Sequence, residues 1–221
     1  MVVSLHTEHA NSELLTREDT MKIDNISIEL DGYIKCISCF YTVEDVIATR
    51  KEFCFQNGYN KLYGSIDSGI FAISYLIGTE KIKKSVLDNP IVKINNEVTT
   101  LDELHKHSCY IDTSYPLFSS NKSVKRLIIE GLKKSNSKIQ YEEIKSLFDL
   151  DDERINRPLK ACGNEKIRAM LAIGYAFGKQ IFCFPWLSKI RYSYFYSHIK
   201  YAVDMLTTLG AIVIVPTEEE E

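Results

Sequence analysis

Long apolar runs are missing from this sequence. No stretch reaches the roughly 18 apolar residues that a membrane-spanning helix needs, and Met1 to Thr20 is polar, without the apolar centre of a secretory leader. A basic excess is missing too: 27 Lys and Arg stand against 30 Asp and Glu, for a net charge of −3. Proteins dedicated to nucleic acid carry a cationic face, so no nucleic-acid partner is expected. There are only five prolines, no low-complexity linker and no internal repeat, and nothing marks a domain boundary. The 221 residues, 45% of them apolar and 26% charged, can hold one large or two small domains and a real core. This composition predicts a cytoplasmic protein.

Metal-binding patterns are equally sparse. Of six cysteines, Cys36 and Cys39 form a single C-x-x-C, with no second pair to complete a zinc site. The surrounding YIKCISCF reads as a strand, on which residues three apart face opposite sides. Buried or half-buried free thiols are therefore expected. His105 and His107 make an H-x-H in the polar LDELHKHS, where a solvated helix face is expected and a metal pair is not, for want of acidic or thiolate ligands at matching spacing. No nucleophile, base and orienting group stand in a recognisable constellation. The tyrosines of IRYSYFYSHIKY (Tyr192, Tyr194, Tyr196 and Tyr201) lack a basic groove beside them, so they read as a packed, half-exposed helix face and not as a base-stacking platform.

What is present is a regular order of elements. NISIEL, YIKCISCF and KEFCFQ read as three short strands. SGIFAISYLIG changes to a helical run that ends at Gly78. PIVKINNEVTTLDEL predicts a strand, a turn and a short helix, and SCYIDTSYPLF a strand leaving into a loop. NKSVKRLIIEGLKK and QYEEIKSLFDLDDERI are amphipathic helices. NEKIRAMLAIGYAFG is a further helix closed by glycine. QIFCFPW and GAIVIVP are continuous apolar runs of the kind found in buried parallel strands, with a tyrosine-rich helix, Ile190 to Leu209, between them. This alternation predicts an α/β protein with a parallel core. Glu218–Glu221 reads as a solvated acidic tail.

One corner suggests specific chemistry. In YGSIDSGIF, Gly64 and Gly69 stand five apart between a strand and a helix, as in a phosphate-binding loop. Such a loop continues with Lys and Ser or Thr, where this chain has Ile70 and Phe71. Taken alone, the stretch is equally a strand–turn–helix corner whose glycines permit unusual backbone angles.

With its elements placed, the chain resembles the ATP-binding cassette (ABC) ATPases of transporters, over roughly Ile23 to Thr217. The resemblance rests on five stretches in order. The first is the loop remnant Gly64, Ser65, Ser68, Gly69, Ile70 and Phe71. The second is CYIDTSYPLF, which keeps Tyr110, Ile111, Pro116, Leu117 and Phe118 but has Thr113 where the family has a metal- and water-reaching Gln. The third is ACGNEKIRAMLA, which is similar to the family signature L-S-G-G-E-x-Q-R at Gly163, Glu165 and Arg168, with Cys162 and Asn164 replacing a Ser and a Gly. The fourth is IFCFPW, with Pro185 and Trp186 in place of the Mg²⁺-binding Asp and the catalytic Glu. The fifth is AIVIVPT, with Pro216 or Thr217 where a switch His would follow.

The resemblance implies one cassette: an N-terminal antiparallel β subdomain, a parallel α/β core and an inserted helical subdomain. Approximate bounds are residues 21–121 for the β subdomain and nucleotide-loop core, 122–163 for the helical part, 164–217 for the remaining core and 218–221 for the tail. It also implies a catalytically degenerate member with no cofactor and no metal, because phosphoryl transfer needs the Lys, the Mg²⁺ ligands and the carboxylate that are replaced. Asn164 is expected to cap the signature helix. The partner implied is a protein, namely a transporter permease, an intact ATPase or a peptide-modifying enzyme, in a homo- or heterodimer. It would dock through the loop Thr113, Ser114, Tyr115, Pro116, Leu117 and Phe118 and the helical segment after it. Any membrane association would be indirect, through the permease, at the inner face of the cell membrane. Small-peptide or antimicrobial export or self-protection is the setting that such a lone cassette suggests. The alternative is a soluble scaffold or binding module of a peptide-modifying complex that kept the fold without a transporter.

Overall fold

The computed structural model describes residues 21–80, 82 and 85–218. The readings of Met1–Thr20 as polar and of Glu219–Glu221 as tail lie outside these residues.

Alternation builds the first sheet. Along β1 (Asn25–Ile37) the side chains of Ile26, Ile28, Leu30, Ile34 and Cys36 turn into the core at every second position. It pairs antiparallel with β2 (Thr42–Gln56), β4 (Ser85–Leu87) and β5 (Ile91–Ile94), and β6 (Glu97–Thr99) adds to β5. In the sequence, NISIEL and YIKCISCF read as two strands. They are instead one strand. Gly32, at φ +127°, lies where a Cβ would sit 2.1 Å from the Val86 carbonyl oxygen, so the glycine admits β4 and turns nothing. The same point carries a bulge: β2 uses the four-residue step from Ile47 to Lys51 to span the two-residue step from Leu30 to Gly32.

The second sheet is parallel, in the order β3 (Gly58–Tyr63), β9 (Ile212–Thr217), β8 (Ile181–Cys183) and β7 (Ser108–Tyr110). Every residue of β7, β8 and β9 is buried, which explains the continuous apolar runs of β8 and β9, while the buried Ser108 of β7 donates its hydroxyl to the Ile77 carbonyl at 2.6 Å. Pro216 is accommodated in β9 because β8 ends opposite Ile214; beyond that point the Pro216 carbonyl accepts from the Leu187 amide at 3.0 Å, and no ladder bond from position 216 to β8 is required.

Helix α1 (Ile70–Gly78) packs against strands of both sheets, and all nine of its residues are buried. A helix apolar all round belongs in a core. Gly78 is its last residue, but its function is proximity. A Cβ there would lie 2.8 Å from that of Cys183 and 3.0 Å from that of Tyr110.

Helix α2 (Leu101–His107) is capped by the Thr100 hydroxyl, which accepts from the Glu103 amide. It is not the solvated face expected: His105 is buried, its Nε2 2.8 Å from the Leu76 carbonyl oxygen. Helices α3 (Val124–Lys134) and α4 (Tyr141–Leu147) form the helical part, with α3 laid across α5 (Lys166–Ala176). Gly131 permits that close crossing, since a Cβ would meet the Phe177 ring at 2.6 Å. Helix α6 (Lys189–Thr208) joins β8 to β9. Its Tyr192 is buried and stacked on Tyr196, while Tyr194, Tyr196 and Tyr201 are exposed.

Candidate functional site

The loop from Gly64 to Gly69 leaves β3 and enters α1, as the glycine spacing predicted. Gly69 adopts φ +88° immediately before the helix, a conformation that other residues adopt only with strain. Gly64 makes room for Ser68: a Cβ on it would lie 2.4 Å from the serine hydroxyl oxygen. The serines bond locally. Ser68 Oγ donates to the Ser65 carbonyl at 2.7 Å, and Ser65 Oγ donates to the Asp67 carboxylate at 2.6 Å.

Three groups close this corner from within. Phe71 is wholly buried and Ile70 is 7% exposed, so both side chains belong to the core. Trp186 follows β8 and donates its indole N–H to the Gly64 carbonyl at 3.0 Å, with its ring edge-on to Tyr41 at 5.5 Å. Asp45, fully buried on the inner face of β2 between Val43 and Ile47, puts its carboxylate on the helix start. Its Oδ1 accepts from the amides of Gly69 at 2.9 Å and Val46 at 2.9 Å, and its Oδ2 from the amide of Ala72 at 2.8 Å. Burial pushes the Asp45 carboxyl above its ordinary range, and the three amide bonds pull against that rise.

A phosphate loop works by offering backbone N–H groups, a lysine and a hydroxyl to phosphate and Mg²⁺. Here a carboxylate already holds the amides of Gly69 and Ala72, and apolar side chains stand at the lysine and hydroxyl positions. Those residues do not fit Mg²⁺-ATP. Among the described residues no group of three His, Cys, Asp or Glu side chains is placed to hold a metal ion.

Parts of the second, third and fourth stretches meet at a separate cavity of about 360 Å³, while Pro216 and Thr217 of the fifth lie in β9 and do not line it. Thr113, Gly163, Asn164 and Pro185 line it together with Phe40, Ile167, Met170, Phe184 and Tyr194. Asp112 also faces it and is satisfied by the amides of Cys39 at 2.9 Å and Ser114 at 2.8 Å. Within the expected docking loop, Tyr115 and Phe118 turn inward with ring centroids 5.6 Å apart, leaving Ser114 and Pro116 on the surface.

The signature stretch is a structural knot. Cys162 is buried, its Sγ 3.5 Å from the Arg154 carbonyl oxygen. Arg168 ties Asp149 at 2.5 Å to Glu165 at 3.3 Å. Asn164 does not cap α5. A 3-10 turn, Gly163–Glu165, precedes the helix and puts Glu165 at the capping position, without a side-chain bond to the helix amides. The C-x-x-C divides into a buried Cys36, as expected, and an exposed Cys39, which is not the half-buried thiol expected because it lies beyond the end of β1.

Sequence reasoning missed Asp45. The signal was present: strand alternation assigns position 45 to the apolar face shared by Val43 and Ile47, and a carboxylate there needs partners. The bond from Trp186 to Gly64 joins residues 122 apart and left no local trace.

This two-sheet α/β arrangement is that of the ABC-transporter ATP-binding proteins. A Pyrococcus furiosus protein assigned as an ABC transporter ATP-binding protein superposes with a TM-score of 0.54 at 16% identity, over 88% of this chain and 92% of its own. CbiO1 of Clostridium perfringens, part of the ABC transporter complex cbiONQ, gives a TM-score of 0.54 at 13% identity, over 90% of this chain and 80% of its own. No protein-family model matches the sequence, and no curated protein matches it.

Proposed function

We propose that the chain is a non-catalytic, ABC-ATPase-like subunit that acts through contacts with other proteins. The observation that carries this reading is Phe71, wholly buried where a working loop needs a hydroxyl on Mg²⁺. Pro185 and Trp186 at the end of β8 add to it, since neither can ligate a metal or activate water. An intact helical part and an intact parallel core support a retained mechanical or docking role. The partner is a transporter permease or a competent ATPase, in peptide or antimicrobial export or self-protection. The apolar cavity between Thr113, Asn164 and Pro185 is suited to an apolar side chain of a permease's cytoplasmic segment. Among the described residues no helix is long and apolar enough to cross a membrane, so this reading places the chain at the inner membrane face only through that partner.

Two measurements test the proposal. Purified protein with Mg²⁺-ATP should show no phosphate release above buffer, and a tagged copy should retain a multi-spanning membrane protein or a second ATPase. Turnover, or a melting temperature raised by ATP, would sink the non-catalytic reading. A stable monomer with no retained partner would favour the free-standing scaffold.

A further inference from the structure

We infer that Asp45 is a built-in anion that takes the place of phosphate at the start of α1, and that the amide nest it occupies has kept its anion-binding geometry. The inference rests on the reading of the loop as a former nucleotide site and names what now fills it. Three observations carry it. The carboxylate is fully buried on a strand outside the loop, and it receives the amides of Gly69 and Ala72 at 2.9 and 2.8 Å. Those amides flank Ile70 and Phe71, at the positions where the P-loop spacing directs backbone N–H groups at a phosphate. The left-handed Gly69 is retained, although a simple strand–helix corner could be made in other ways.

A buried carboxylate at a row of apolar positions is costly unless it is held by donors. Here the donors are the unpaired first-turn N–H groups, which carry the positive end of the helix dipole. Each group satisfies the other, and no diffusible anion is needed.

The test is to remove the internal anion and offer an external one. In Asp45→Ala, inorganic phosphate or pyrophosphate should raise the melting temperature by about 3 °C at roughly ten times its Kd. Chloride at equal ionic strength should not. The native protein and Asp45→Asn, in which the space stays filled, should show no such response. If Asp45→Ala melts low and ignores phosphate, the side chain is only a cap and the inference fails. If the native protein itself responds to pyrophosphate or ATP, the reading of a closed loop fails instead. Should Asp45→Ala not fold, Asp45→Ser takes its place: phosphate or pyrophosphate should raise its melting temperature where chloride does not, and a folded Asp45→Ser that ignores both would overturn the inference.

Discussion

The indole N–H of Trp186 donates to the carbonyl of Gly64 at 3.0 Å, so a residue just beyond the central strand β8 latches the loop that follows the edge strand β3. Trp186 is also the only tryptophan in the chain and is 6% exposed. Its fluorescence therefore reports on this corner alone. The emission should be that of a buried indole and should not change when millimolar Mg²⁺-ATP is added. Trp186→Phe keeps a ring in place but leaves the Gly64 carbonyl without its donor. The expected loss is about 1 kcal/mol, read as a lower urea midpoint by circular dichroism, whereas Trp186→Ala should cost about 3–5 kcal/mol through the cavity it opens.

His107 should make stability depend on pH. Burial holds its imidazole below the ordinary histidine value, helped by the charges of Lys179 and Lys106 and opposed by Glu103 at 3.6 Å. The folded protein thus binds the proton less readily than the unfolded chain. Its contribution is fully present above the unfolded value of about 6.5 and is lost as pH falls from there towards the lower folded value. In His107→Gln the decline in urea midpoint across that interval should be shallower than in the native protein. An unchanged slope would remove His107 from the account.

The six free thiols should separate into one that reacts and five that do not. Cys54 is exposed. Cys39 is also exposed, yet burial of its thiol and the Asp112 carboxylate push it up to about 12. Burial raises Cys109 to about 12 and lifts Cys36, Cys162 and Cys183 as well. Alkylation at about pH 8 should add a single label at Cys54, with Cys39 slower by at least about a hundredfold because so little thiolate is present. Intact mass spectrometry before and after denaturation checks this, and two rapid labels would contradict it.

Much of this architecture was legible because the elements obey period and burial rules that act over a few residues. α1, α3, α5, β8 and β9 follow directly from SGIFAISYLIG, SVKRLIIEGLKK, EKIRAMLAIGYA, IFC and IVIVP. The failures were at places where a local rule was overruled from a distance. NISIEL and YIKCISCF read as two strands, but Gly32 gives room to the approaching Val86 and the chain runs on as one. His105 sits in a polar heptapeptide, but the Leu76 carbonyl gave it a buried partner. Asn164 has the right chemistry for a cap, but the 3-10 turn moved the helix start past it. Of the Gly64–Gly69 corner, the glycine pair and the apolar Ile70-Phe71 that follow it were visible. Asp45 and the latch of Trp186 depend on strands and loops brought together only by folding.

The bond from Asp45 to Gly69 is made within one molecule, and this changes how the corner responds to its surroundings. A loop that depends on a dissolved ligand is ordered only in proportion to how much ligand is present. A carboxylate fixed on β2 meets the helix amides at an effective concentration above about a millimolar, whatever the solution contains. On the proposed reading of this corner, starvation or plenty in the surrounding nucleotide pool leaves the loop unmoved. The same bond serves as a permanent joint between β2 of the first sheet and the loop that follows β3 of the second.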